Sequence, residues 1–311
     1  TPVAQPTGNG FLYSLAPTIT PGLTGTVSKV YDATTSAPLA AANFTPTIGV
    51  DGDVVAMSGT GAYDNPNVAG SPTKLVTATG ITAAMTSSVA DGSKPVYGYT
   101  LTSTTASANI GAITPAALTV TGNATSSGYT AAAQTNGFST TGLLTGNGDS
   151  VTGVSGLATR TNVGTTADTL SAATGAGLGN YTISYANGSL TITPAALTLN
   201  AVTATKVYDG TILSTGTVGV VGLVGGDTVT GLSQTYASKN VLGANGSTLA
   251  VNAGYVVNDG NGGANYTVTS NTARGTITPA SLVIAADDAS RPFSTPNPPF
   301  TASYAGFVAG E

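Results

Sequence analysis

An all-β fold, laid out as an elongated tandem array of small β-domains, is what this chain predicts, and three observations carry the expectation. The phrase Ile-Thr-Pro-Ala-Ala-Leu-Thr stands verbatim at Ile113 to Thr119 and at Ile192 to Thr198, and it returns as Ile-Thr-Pro-Ala-Ser-Leu-Val from Ile277 to Val283. Threonine and valine fall in short alternating runs bounded by Gly, Asn and Asp, which is the period of half-buried strands. No segment keeps an uninterrupted helical period. One short apolar turn per repeat, such as Val220-Val221-Gly222-Leu223-Val224, is compatible with a helical turn. A β-sandwich and a β-grasp-like module with at most one short helix per repeat therefore both fit.

The strand signals follow in order. Tyr181, Ile183 and Tyr185 alternate, as do Leu190 with Ile192, Leu197 with Leu199, Leu249 with Val251, and Tyr266 with Val268. The intervening Thr182, Thr191, Thr198, Thr248 and Thr267 are expected to face water. Turn signals separate these runs at Asp51-Gly52, Asp91-Gly92, Asn187-Gly188, Asp209-Gly210, Asn245-Gly246 and Asp259-Gly260.

A looser copy of the phrase, Ile19-Thr20-Pro21-Gly22-Leu23, sets the spacing: Pro21 to Pro115 is 94 residues, Pro115 to Pro194 is 79, and Pro194 to Pro279 is 85. The expected division is residues 1–20 as the end of a preceding repeat, 21–113 as repeat 1, 114–193 as a divergent repeat 2, 194–278 as repeat 3, and 279–311 as the start of a further, incomplete repeat. Proline cannot donate to a ladder, so the phrase is expected to stop sheet pairing at a short joint without a flexible linker. Gly306 to Glu311 corresponds to Gly222 to Asp227, so the array is expected to continue beyond Glu311, as any signal peptide is expected to precede Thr1.

The repeats share landmarks in a fixed order. Lys-Val-Tyr-Asp stands at Lys29 to Asp32 and at Lys206 to Asp209. Gly-Asp before an apolar run follows at Gly52-Asp53, Gly148-Asp149 and Gly226-Asp227, and Asn-Tyr-Thr at Asn180 to Thr182 and Asn265 to Thr267. Repeat 2 has Gly128-Tyr129-Thr130 where the others have Tyr-Asp. Lys206 to Thr211, Gly226 to Val229, Ser238-Lys239-Asn240-Val241, Asn265 to Val268 and the Pro phrase together resemble the YDG and MBG repeats of large bacterial secreted adhesins. Arg291-Pro292-Phe293 through Phe307 resembles the YGX variety, with Arg-Pro-Phe where Tyr-Gly is usual. Repeat 1 departs in having Asp32-Ala33 for Asp-Gly. The resemblance implies small, mostly β modules in the stalk of a filamentous, two-partner-secreted or similar surface protein, extracellular at a bacterial surface or in a biofilm matrix, with neighbouring repeats as partners and exopolysaccharide or like chains as candidates. A non-catalytic spacer is expected; the alternatives are modules that themselves bind exopolysaccharide or host glycan, or that assemble into an extracellular filament by strand donation.

Composition narrows the chemistry. Only 7% of residues are charged, the net charge is −5, and there is neither His nor Cys. Serine- and cysteine-hydrolase machinery is thereby excluded, and no disulfide or zinc-thiolate site holds the fold. The eight basic residues are scattered from Lys29 to Arg291, the opposite of a nucleic-acid footprint. No apolar run reaches the roughly 20 residues that span a bilayer. No catalytic, cofactor or metal residue is therefore assigned. Structural calcium is the one ligand weighed, at Asp51-Gly52-Asp53, Asn147-Gly148-Asp149, Asn258-Asp259-Gly260-Asn261 and Asp287-Asp288, against plain Asx turns. Tyr31, Tyr208, Tyr181 and Tyr266 are weighed as a sugar-stacking face against core packing, and Asn123, Asn180 and Asn265 stand in glycosylation sequons.

Overall fold

The structure, a computed structural model, describes residues 10–87, 94–308 and 310. The Asp91-Gly92 turn signal and Glu311 lie outside the described residues. Among the described residues the chain is all-β: 32 strands are joined by three single-turn 3-10 helices, Ala41–Asn43, Val50–Gly52 and Leu178–Asn180. Among the described residues there is no α-helix, so the modules are layered sheets and no grasping helix is present. Two compact units form. The first holds residues 1–123, 137–157 and 168–188, and the second holds 124–136, 158–167 and 189–311. Both strands flanking Pro115 fall in the first unit, both flanking Pro194 fall in the second, and residues 114–193 divide between the two.

In the first unit a five-stranded sheet runs in the order Val27–Val30, Ala106–Thr114, Ala69–Thr86, Val54–Tyr63 and Ser36–Ala37. Only its first pair is parallel. A three-stranded sheet places Ala116–Gly122 between antiparallel Phe138–Thr141 and parallel Tyr181–Ala186. Their inner faces meet in one apolar cluster that includes Val27, Tyr31, Val76, Ile113, Leu118 and Tyr181. The alternation decides which face is inside, since Leu118 and Val120 are buried while Ala117 is exposed.

The second unit repeats the pattern. Ser189–Thr193 lies between parallel Ala124–Gly128 and antiparallel Gly164–Ala167. Ala195–Asn200 lies between antiparallel Gly219–Val221 and parallel Tyr266–Asn271. Leu190 and Ile192 of one sheet share a core with Leu197, Leu199 and Tyr266 of the other. A second core around Tyr236, Leu249 and Ile277 sits under the sheet in which Ala273–Thr278 takes parallel Thr205–Val207 and antiparallel Ser247–Val251. Val220-Val221, read as compatible with a helical turn, is instead the edge strand of its sheet. β-branched Val220 lies opposite Leu199, and Gly222 (φ 102°) then turns the chain sharply.

The Pro phrase separates strands as expected. Ala106–Thr114 ends before Pro115, and Ala116–Gly122 begins after it. The first copy sits differently: Thr18–Ile19 pairs with Thr100–Leu101 ahead of Pro21, so that strand starts three residues before the proline used to mark it. Thr182, Thr248 and Thr267 are exposed, whereas Thr191 and Thr198 are half-buried because they pair across strands with Thr165 and Thr269. The described turn signals all fall between strands. At Asp209-Gly210 the glycine has φ 74°, and in repeat 1 Ala33 holds the same left-handed conformation at φ 61°.

That conformation costs an L-residue with a Cβ about 1 kcal/mol. Ala33→Gly is expected to raise stability by about 1 kcal/mol and Gly210→Ala to lower it by a similar amount, read as shifts in the urea midpoint at unchanged slope.

Candidate functional site

The Gly-Asp, Tyr-Asp and Asn-Tyr-Thr landmarks, far apart in sequence, converge at Tyr31, Asp149 and Tyr181, and the same arrangement occurs three times, with Tyr129 and Tyr99 of Gly-Tyr-Thr and with Tyr13 taking tyrosine places in the other two. Asp149 Oδ2 accepts hydrogen bonds from the hydroxyls of Tyr31 at 2.6 Å and Tyr181 at 2.7 Å. Asp227 Oδ2 accepts from Tyr129 at 3.0 Å and Tyr266 at 2.7 Å. Asp53 Oδ2 accepts from Tyr13 at 3.0 Å and Tyr99 at 2.8 Å. In each cluster the rings meet edge to face, with centroids 5.4, 5.5 and 5.4 Å apart in that order. Edge-to-face geometry sets a positive ring edge on a negative face and lets both hydroxyls reach one point.

The backbone places each partner. The second tyrosine opens the parallel strand beside the Pro phrase: Ala116 lies opposite Tyr181, and Ala195 opposite Tyr266. Its hydroxyl also accepts a backbone N–H, from Leu144 onto Tyr181, from Val224 onto Tyr266 and from Val50 onto Tyr99. The first tyrosine follows the strand that pairs parallel with the last strand of its own repeat, as Tyr31 follows Val27–Val30. Tyr31 therefore belongs to repeat 1 and Tyr129 to repeat 2, and the aspartate and tyrosine that each meets belong to the repeat that follows.

Asp53 and Asp149 are buried and Asp227 is half-buried. A carboxylate withdrawn from water needs short hydrogen bonds to charge-compatible donors, and two phenols supply them. The effect on the phenols is reciprocal. Burial, and next the hydrogen bond to Asp149, push Tyr181 up to about 12. Burial raises Tyr266 to about 12, with Asp227 adding to it against the Val224 N–H. Tyr31, Tyr99 and Tyr129 are raised for the same two reasons, burial first. All five phenols thus stay protonated donors near neutral pH.

A second device accompanies the Asp149 and Asp227 clusters. Asn180 Oδ1 accepts the Val68 N–H at 2.9 Å, and its Nδ2 donates to Asn67 Oδ1 at 3.2 Å. Asn265 does the same with Val163 N–H at 2.9 Å and Asn162 Oδ1 at 3.1 Å. An asparagine just before the inserted tyrosine is thus read by an Asn-Val dipeptide of the preceding repeat. The lysine of Lys-Val-Tyr-Asp closes the turn beyond the first tyrosine. Lys29 Nζ lies 2.6 Å from Asp32 and 2.8 Å from the Thr34 carbonyl, and Lys206 matches it at 2.7 Å from both Asp209 and the Thr211 carbonyl. The Lys206 bond is the main reason the Asp209 carboxyl is held down at about 2.

Most of the weighed calcium residues are engaged in these networks or in Asx turns. Asp51 and Asp53 take the Tyr13 hydroxyl, and Asn147 donates to Tyr31. Asp259 accepts the backbone N–H groups of Asn261, Gly263 and Asn265. Burial opposes ionisation of Asp259, but those three N–H groups outweigh it and lower its pKa. Asp287 and Asp288 are exposed. Among the described residues no three His, Cys, Asp or Glu side chains gather at one point. Tyr31, Tyr181 and Tyr266 are buried within the clusters, and Tyr208 packs half-buried against the Tyr236 core. Asn180 and Asn265 are buried as well, their side chains spent on the clamp. Sequence reasoning found Asp53, Asp149 and Asp227 and the tyrosines Tyr31, Tyr129, Tyr181 and Tyr266 as landmarks but not their convergence, and it passed over Tyr99, the cluster role of Tyr13 and the Asn-Val dipeptides. The available signal was Asn-Val recurring 36, 33 and 32 residues after Tyr31, Tyr129 and Tyr208.

A family model described as YDG domain matches residues 16–106 and 193–273, just over half of the chain. No curated protein and no solved structure matches it.

Asp149→Ala removes the shared acceptor of two buried phenols, leaving Tyr181 only the Leu144 carbonyl at 3.2 Å, and is expected to cost about 3 kcal/mol, and Tyr181→Phe about 1.5 kcal/mol, in denaturant unfolding. The folded phenols of Tyr181 and Tyr266 ionise near 12, above the unfolded value of about 10. Their stabilisation is therefore complete below pH about 10 and is lost as pH rises towards 12. Tyrosinate absorbance of the native chain should show a late step, and that step should shrink in the Tyr181→Phe, Tyr266→Phe double variant.

Proposed function

The chain belongs to the YDG domain family, and on that premise we propose that it is a non-catalytic spacer, a stalk segment of a bacterial cell-surface or biofilm-matrix adhesin that holds a binding domain away from the cell. The observation that carries this reading is the coupling of consecutive repeats. Tyr31 of repeat 1 is buried against Asp149 and Tyr181 of repeat 2, and Tyr129 of repeat 2 against Asp227 and Tyr266 of repeat 3. A chain built to transmit position has use for such a joint, because bending it would break two charge-assisted hydrogen bonds to one carboxylate.

Composition supports the same reading. With neither His nor Cys and with charges thinly spread, the chain has no histidine base, no thiol nucleophile and no run of clustered basic residues in sequence, and its extracellular placement follows from the adhesin reading. Binding of exopolysaccharide or a host glycan by the repeats themselves is the alternative. It is less favoured because, of the four tyrosines weighed for stacking on sugars, Tyr31, Tyr181 and Tyr266 are buried inside the clusters and Tyr208 is half-buried.

Small-angle scattering should return an elongated particle with a maximum dimension well beyond that of a 311-residue globule, and a glycan array should show no binding. A compact scattering profile would overturn the spacer reading, and saturable glycan capture would favour the alternative.

A further inference from the structure

Repeat 3 carries the receiving half of this joint for a third time. Tyr208 follows Thr205–Val207 as Tyr31 follows Val27–Val30. Asn240-Val241 stands where Asn67-Val68 and Asn162-Val163 read the asparagine of the next repeat. The strand after the third Pro phrase, Val283–Ala286, pairs antiparallel with Ala302–Ala305, as Ala195–Asn200 does with Gly219–Val221. The turn beyond is the same in all three: Gly142, Gly222 and Gly306 have φ 90°, 102° and 104°, and a Cβ on each would strike the carbonyl oxygen of Ala117, Ala196 or Ser281.

One partner differs. Ala116–Gly122 and Ala195–Asn200 each carry a parallel Asn-Tyr-Thr strand on the other edge, whereas among the described residues Val283–Ala286 has a partner on one edge alone. Equivalent side chains register the difference. Leu118 and Leu197 are 0% exposed, whereas Leu282 is 46% exposed and Ile284 61%. A groove opens beside that edge, lined by Tyr208, Asn240, Val241, Ala280, Leu282 and Phe307. Ala280 is the counterpart of Ala116 and Ala195, the residues that lie opposite Tyr181 and Tyr266.

We propose that this groove is a socket for the Asn-Tyr-Thr strand of another repeat of the same kind. The incoming strand pairs parallel with Val283–Ala286, its tyrosine enters opposite Ala280 with its ring edge-on to Tyr208, and its asparagine accepts the Val241 N–H while donating to Asn240 Oδ1. Apolar cover for Leu282 and Ile284 supplies the driving force, and the asparagine clamp supplies register, since a slip of one residue would turn every side chain to the other face. This deepens the spacer reading by naming what a repeat receives.

The test uses the full chain and a synthetic peptide of residues 264–271, Ala-Asn-Tyr-Thr-Val-Thr-Ser-Asn. Calorimetry should give saturable one-to-one binding, weakened at least tenfold when the peptide's Tyr or Asn is replaced by Ala. The same loss should follow Asn240→Ala in the chain, an exposed position whose change leaves the cores untouched. Hydrogen exchange should slow at Val241 and across Val283–Ala286 when peptide is bound. Absence of saturable binding would overturn the proposal, as would equal affinity for the Ala-substituted peptides or for the Asn240→Ala chain. Peptide capture reads the socket and scattering reads the shape, so either can fail without the other.

Discussion

One carboxylate oxygen shared by two phenols is the constraint on which the rest of the structure depends. Buried charge is costly in proportion to what it lacks, and Asp149 Oδ2 lacks little, with donors at 2.6 and 2.7 Å. For both hydroxyls to arrive, the rings must cross edge to face, which fixes the backbone distance between the strands that carry them. One of those strands runs parallel to the strand after the Pro phrase, and the other precedes the Lys-Asp turn. The cluster thus sets the register of one repeat on the next, a task that apolar packing of Leu and Val would perform with less specificity.

A chain with 7% charged residues must satisfy its surface by other means. It does so with hydroxyls. Thr119 with Ser184, Thr165 with Thr191, Thr198 with Thr269 and Thr77 with Ser107 pair across strands at 2.9 to 3.3 Å. Such pairs reinforce the ladders without the ordering of long charged side chains, and they are insensitive to salt. The few charges present are placed with purpose: Lys29 and Lys206 close equivalent turns and lie over the rings of Tyr63 and Tyr236 at 5.4 Å.

Much of the fold was legible in sequence because its signals are local. Alternation at Leu190-Thr191-Ile192 and Leu197-Thr198-Leu199 marks strands and their inner faces, and Asp209-Gly210 or Asn245-Gly246 mark turns whose φ is positive at Gly210 and Asn245. Val220-Val221 misled because a short apolar run has no period of its own, and only pairing with Leu199 shows it to be an edge strand. The site was legible as a set of landmarks and illegible as a site. Tyr31 and Asp149 are 118 positions apart, and nothing in either neighbourhood states that they meet. The same holds for Asn180 and Val68, whose bond joins a signature motif to a dipeptide that looks like ordinary loop.

The sequence period and the packing period are out of phase, and that offset explains how the array holds together. Counted from proline to proline, repeat 2 runs from Ala116 to Thr193, yet Leu118 and Tyr181 share a core with Val27, Tyr31 and Ile113 of repeat 1. Its Tyr129, Leu190 and Ile192 share another with Leu197, Leu199 and Tyr266 of repeat 3. Among the described residues repeat 3 keeps one core to itself, around Tyr236, Leu249 and Ile277, but the large apolar side chains beside Pro115 and Pro194 are covered in part by the neighbouring repeat. Cover of that kind is worth about 2 kcal/mol or more per fully buried Leu or Ile, against a whole-domain stability of roughly 5 to 15 kcal/mol. A substantial share of each repeat's stability therefore resides in what the neighbours contribute, which is the nearest-neighbour coupling of a linear array. Proline between the two half-cores keeps their sheets from merging into one continuous ladder. The phrase that makes the repeat visible in sequence is thus the seam around which the folded unit is built.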